Sequence, residues 1–234
     1  MKRAVAFLAA TLILGGCAKN PPGAIGGNAT RLVVTMRVDG KFRTGAELGG
    51  GLPYIYMVAF RLSDEVNPTT QGPIPVVAPP WGNGFVAGNA THFVWWDPNQ
   101  VSPVTIYRFR DASLNEYTAL GVPINTIVPA PNGNELKFEI GLDQLEPDAT
   151  LRGNLRTVQV NFLTMDRIAQ TGNNKFWDAL GDGRLPSQVN TWINVPITVG
   201  GTFNNARSGD IEPRGDQPDP DLDLVNWEIE VRPQ

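Results

Sequence analysis

The sequence predicts an all-β chain, an antiparallel β-sandwich of about eight to ten short strands with brief helical turns. Three observations lead there. Apolar residues recur with period two through most of the chain, the spacing that gives a strand one buried face. The 25 Gly and 20 Pro punctuate those apolar runs instead of interrupting helices. No stretch keeps a helical period for more than about two turns.

Taken in order from Arg31, Leu32, Val34, Met36 and Val38 alternate with polar residues, and Asp39-Gly40 closes the run as a turn. Tyr54 to Leu62 is apolar on both faces until Arg61, which suggests a central strand. Pro73 to Trp81 is broken by prolines and is expected at an edge or in a loop. His92 to Trp96 and Val104 to Phe109 read as strands separated by the turn Asp97-Pro98-Asn99. The adjacent Trp95 and Trp96 must point to opposite faces, so both are buried only if their sheet is covered on both sides. Glu135 to Leu142 alternates, with Leu136, Phe138, Ile140 and Leu142 on one face, and Val158, Val160 and Phe162 mark another strand. Trp192 to Val199 and Val225 to Val231 complete the set, while Asp166 to Ala169 and Lys175 to Leu180 are the best helical candidates.

Ahead of these strands, Met1-Lys2-Arg3 is a basic head, Ala4 to Leu14 an apolar run too short to span a bilayer, and Leu14-Gly15-Gly16-Cys17 its close. This stretch resembles the lipobox of bacterial lipoproteins. The resemblance implies a signal peptide over residues 1–16, covalent lipid on Cys17 and a membrane-anchored, extracytoplasmic protein. Because Ala18 and not Asp follows the cysteine, it favours the outer membrane in a host with two membranes. Residues 17–30 form a Gly-, Pro- and Asn-rich tether, and residues 31–234 one β-sandwich domain, a length ample for a core without staples.

With Cys17, the sole cysteine, committed to lipid, the domain has no thiol for a disulfide, a zinc site or a nucleophile. Without Lys2 and Arg3 the chain carries 17 basic against 23 acidic residues, a net charge of −6 with no Lys/Arg cluster. That balance argues against nucleic acid, and it leaves anchoring to the acyl chains instead of a polybasic grip on lipid.

One segment narrows the fold. Glu135-Leu-Lys-Phe-Glu-Ile-Gly-Leu-Asp-Gln-Leu runs into a short turn around Asp143 and Leu145; after a loop come Val158-Gln-Val-Asn-Phe-Leu-Thr-Met-Asp-Arg and then Phe176-Trp177. That order resembles the second half of family-nine carbohydrate-binding modules and the related DOMON-like sandwiches, over residues 135–180. The resemblance implies a jelly-roll or DOMON-like sandwich, and it makes Asn161, Asp166 and Arg167 the polar partners of a glycan. Trp81, in the loop Pro79-Pro80-Trp81-Gly82-Asn83-Gly84, is the candidate ring for stacking on a sugar, with the Asn83 amide beside it. Haem-binding variants of such folds use Met or His, for which His92 with Met57 or Met165 would serve.

A cation site is the other candidate. Asp219, Asp221 and Asp223 alternate in an acidic run, and Glu230 lies eleven residues after Asp219, the ligand spacing of a calcium loop. Leu224 stands where that loop needs glycine, and a strand over Val225 to Val231 would carry Glu230 away. The geometry that survives both objections uses Asp219 and Asp221 with a nearby carbonyl. The lone histidine, His92, has no Gly-x-Ser-x-Gly partner, and no carboxylate pair stands out, so the sequence leans away from an enzyme. The favoured expectation is a lipid-anchored binding module for a cell-surface or environmental glycan, with calcium as a structural ion. The alternative is an assembly lipoprotein contacting another envelope protein, and a glycoside-active enzyme comes third.

Overall fold

The alternating runs pair into two antiparallel sheets in a computed structural model that describes residues 29–45, 53–76, 83–168, 175–185, 188 and 191–233. In the first sheet β1 (Arg31–Val38) lies between β9 (Glu135–Gly141) and β14 (Leu224–Arg232), with β8 (Asn125–Ile127) and β13 (Gly201–Asn204) at the edges. The second sheet has the order β11 (Trp177–Ala179), β10 (Thr157–Met165), β2 (Ile55–Ser63), β5 (His92–Trp96), β6 (Val104–Phe109) and β7 (Tyr117–Gly121). β12 (Ile193–Pro196) pairs with the half of β10 that β11 leaves free. A hairpin of β3 (Pro73–Pro75) and β4 (Val86–Gly88) forms a third, two-stranded sheet.

Register explains which side chains are inside. On β1 the residues Leu32, Val34, Met36 and Val38 share one face with Leu136, Phe138 and Ile140 of β9, and they meet Tyr56, Val58, Phe60, Val94 and Trp96 of the second sheet. Trp227 of β14, fully buried, lies against Phe162 of β10 with ring centroids 5.8 Å apart. This is the face-to-face core of a β-sandwich. The outer face of the second sheet carries a second apolar cluster. There Ile55, Met57 and Ala59 of β2, Phe93 of β5 and Leu163 and Met165 of β10 pack under Phe85 and Val86 of the hairpin. β2 is therefore apolar on both faces because it is covered on both, as its sequence suggests.

The short edge strands β4, β7, β8 and β13 carry little alternation, and the sequence does not mark them. Of the two helical candidates, Asp166 and Arg167 form a bend, and Ala169 lies outside the described residues. Lys175 to Leu180 is not helical: its middle is β11, because Trp177 and Ala179 register against Met165 and Leu163 on the free edge of β10. Sheet pairing overrides the weak local preference there. The turn around Asp143 and Leu145 forms as α1 (Leu142–Leu145). A further helix, α2 (Ala149–Asn154), starts where the Asp148 carboxylate accepts the backbone N–H groups of Thr150 and Leu151. Among the described residues no helix is long and apolar enough to cross a membrane.

Candidate functional site

Two features outside the main core stand out, an acidic cluster where the two sheets meet and an aromatic stripe on the outer face of the second. The cluster comprises Asp178, Asp216 and Asp223, each offering a carboxylate oxygen, all within 4.8 Å of one another. Asp178 sits on β11 of the second sheet, and Asp223 immediately precedes β14 of the first. Backbone amides hold the three in place. Asp178 accepts from Leu224 N at 2.7 Å and Ala179 N at 3.0 Å, and Asp216 from Gly183 N at 2.7 Å. Asp223 accepts from Gly215 N at 2.9 Å and Gln217 N at 3.3 Å.

A fourth acid, Glu212, lies against this group and is 1% exposed. Its Oε2 accepts from Gly181 N at 3.1 Å, whereas Oε1 has no partner, and neither has Oδ1 of Asp216. Burial, then the charges of Asp178, Asp216 and Asp223, push the Glu212 carboxyl up to about 12. Burial and then the Asp216 charge raise Asp178 well above the usual carboxylate range, and burial raises Asp216 to about 6. Among the described residues none of the ion pairs involves these four acids; the nearby Arg184 is exposed and paired with Asp182.

The calcium geometry expected at Asp219 and Asp221 is not assembled. Asp219 O accepts from Leu222 N and Asp223 N, so residues 219–223 coil tightly and their carboxylates fan apart. Asp219 accepts from Tyr54 Oη at 2.9 Å and from Asp221 N at 3.0 Å. Asp221 binds Lys41 N at 2.7 Å and forms an ion pair with Arg43. Only Asp223 turns toward the cluster, where its partners are Asp216 from the same acidic run and the distant Asp178. Glu230 is on β14, paired with Arg232 at 2.7 Å.

A scan against protein-family models, a search of characterised proteins and a search of solved structures find no match for the chain. Geometry therefore carries the functional reading.

The expected glycan residues do not converge. Cys17 and Trp81 lie outside the described residues. The Asn83 amide is occupied by the hairpin: Oδ1 accepts from Phe85 N and Val86 N, and Nδ2 donates to Leu114 O at 2.7 Å. Asn161 is fully buried, donating to Pro73 O and Thr191 O and accepting from Leu180 N, so it docks the hairpin and has no group left for a ligand. Asp166 accepts from Phe176 N at 2.9 Å and pairs with the exposed Arg167 at 2.6 Å.

The stripe is instead formed by Trp95, Tyr107 and Tyr117 from β5, β6 and β7. Alternation places Phe93 and Trp95 on the outer face, and register sets Tyr107 opposite Phe93 and Tyr117 opposite Phe109. Phe93 and Tyr107 stack at 4.8 Å and 12°, and Tyr117 meets Tyr107 edge-on at 5.6 Å and 89°. Trp95 and Tyr107 are half-buried, and Tyr117 is 41% exposed. The sequence offers Trp95 as a core residue; the stripe appears only once the strand order β5-β6-β7 is known.

His92 faces the inter-sheet side of β5, with Val94 and Trp96, whereas Met57 and Met165 belong to the outer cluster. The sheet separates them, so no His–Met haem pair forms. His92 borders a cleft of about 500 Å³ whose lining includes Asp64, Arg108, Arg110, Asp111 and Glu146. Burial, then the Arg108 charge, hold the imidazole at about 4, and no serine lines the cleft among the described residues.

Proposed function

We propose that the chain is a lipid-anchored, extracytoplasmic binding module that takes a glycan on the aromatic stripe of its second sheet. The single observation that supports this reading is the row Trp95, Tyr107 and Tyr117, rings each packed against Phe93 yet left partly open to solvent. Rigid rings with an apolar face and a polar tip suit a ligand that is itself apolar on its ring face and polar at its rim. The signal-like N-terminus supports the location, with Cys17 carrying the lipid.

The test is binding of the protein to a polysaccharide panel. Saturable binding is expected, weakened at least about tenfold in Trp95→Ala and Tyr107→Ala, a loss of about 1.4 kcal/mol. Absence of binding across a broad panel would refute the glycan reading. In the same preparations Cys17→Ser is expected to leave the membrane fraction and lose acyl labelling.

A second reading, an assembly lipoprotein, is favoured by one feature. All five residues of β7 are exposed, Leu120 among them, and Val122, Ile127 and Val128 are exposed apolar residues in the chain that follows. An open strand edge can accept a strand from another protein. Crosslinking in intact envelopes through residues of β7 would identify such a partner, and Tyr107→Ala would leave that contact in place.

A further inference from the structure

We infer that Asp178, Asp216 and Asp223 hold a calcium ion that clasps the two sheets together. Three carboxylate oxygens within 4.8 Å of one another are close enough to share one cation. Magnesium usually keeps several waters and takes one or two carboxylates, whereas calcium accepts a cage of several protein carboxylates. The donors are all oxygen, the choice of a hard cation.

The cluster is more than an accidental meeting of acids. Surface acids repel one another and turn out to water, whereas Asp178 and Asp223 are buried, at 2% and 1% exposure. Each of the three is positioned by backbone N–H groups that leave further lone pairs free. The independent sign of a cation site is Glu212. This carboxylate is buried against the three aspartates, its Oε1 has no hydrogen-bond partner, and no described Lys or Arg pairs with it. An unpaired buried acid is costly unless a cation or a proton relieves it. Calcium among the aspartates would supply the charge, with Glu212 in reserve as an outer partner.

Placement gives the ion its effect. Asp178 belongs to β11 and Asp223 to the residue before β14, and the Asp178 carboxylate already accepts Leu224 N across the junction. The loop bearing Asp216 joins through Gly183 N and the shared donor Gly215 N–Asp223. An ion ligated by all three ties the edge of one sheet to the entry of the other and organises the acidic loop between them.

The experiment uses the purified full chain, dialysed against chelator and then titrated with calcium chloride, with unfolding temperature and ion content as readouts. One calcium retained per chain is expected. At free calcium about one hundred times Kd, the midpoint should rise by roughly 5–10 °C. Magnesium at equal concentration should raise it less. Asp216→Asn, chosen because Asp216 is only half-buried and the variant should fold, is expected to abolish the calcium gain, as is Asp223→Asn. Asp219→Ala, outside the cluster, should retain it. Calcium should also slow hydrogen exchange at the Leu224 and Gly215 amides. An unchanged midpoint with no calcium retained would overturn the inference in favour of a cluster held by protons. A gain that survives both Asn variants would overturn the ligand assignment, and a larger gain with magnesium would overturn the choice of ion.

Discussion

Replacing His92 should change how stability depends on pH, and the structure fixes the sign. His92 is 2% exposed, its Nδ1 is 2.9 Å from Thr91 Oγ1, and Arg108 stands opposite on β6. Burial first, then the Arg108 charge, lower its pKa from 6.5 to about 4, against a smaller opposing effect of the Leu145 backbone. The unfolded chain therefore takes up a proton near pH 6.5 that the folded chain refuses until about pH 4. Between these values the unfolded state binds more protons, so stability is lost as pH falls, by up to ~1.4 kcal/mol per pH unit. The full effect is about 3 kcal/mol, of which about 2 kcal/mol falls between pH 7 and 5. Asp64, Arg110, Asp111 and Glu146 line the same cleft, and Asp216 also titrates near 6, but all are present in both proteins being compared. Urea unfolding of the wild type and His92→Gln at pH 7, 6 and 5 isolates the histidine. The variant should lose about 2 kcal/mol less over that interval. Parallel pH dependences would refute the claim that His92 is held neutral by burial.

Lys175 is buried with its ammonium donating to Gly84 O at 2.9 Å, and burial lowers its pKa to about 8. At neutral pH it is charged in both states, and the folded state carries a penalty that fades only as pH rises from about 8 toward 10.5. Lys175→Met should therefore stabilise the protein at pH 7 by about 1–2 kcal/mol after loss of the hydrogen bond, and urea midpoints at pH 7 and 10 should show the gain shrinking. Asp221→Ala strands the Lys41 amide and the Arg43 guanidinium, so it should cost about 2–4 kcal/mol, read as a lower urea midpoint at unchanged slope. A loss below about 1 kcal/mol would mean that water replaces the carboxylate without strain.

What the sequence made legible was what repeats locally. Leu32, Val34 and Met36, or Leu136, Phe138 and Ile140, declare an inner face because alternation is a property of neighbouring residues. Both-faced burial of β2 and the opposed Trp95 and Trp96 could be read for the same reason. Strand partners could not. Asp223 stood out in the acidic run, but its proper partner Asp178 is 45 residues earlier and reaches it only because β11 and β14 meet at one end of the sandwich. The calcium-loop spacing misled because residues 219–223 coil, which turns alternate carboxylates apart. Glu212 and Asp216 belong to the same acidic run, but nothing in their sequence neighbours announces their burial. Asn161 was read as a ligand group from its place on a strand; its saturation by Pro73, Thr191 and Leu180 depends on loops that pack from far along the chain.

The order of the second sheet also separates the proposed cation site from the aromatic stripe. β11, bearing Asp178, is at one edge, and β6 and β7, bearing Tyr107 and Tyr117, are at the other. Three to five interstrand spacings of about 4.8 Å put β11 roughly 14 Å from the strand of Trp95, and roughly 19 and 24 Å from those of Tyr107 and Tyr117. A cation there is too distant to ligate a sugar resting on Tyr107, so its influence on binding can pass only through the stability of the sandwich. Chelation should then lower the unfolding temperature while leaving the Kd for polysaccharide unchanged, provided binding is measured well below the unfolding transition. If chelator weakened binding while circular dichroism showed the fold intact, the glycan would have to lie nearer β11, where Phe176 is exposed beside Asp166 and Arg167. Phe176→Ala, and not Tyr107→Ala, would then be the variant that loses the ligand.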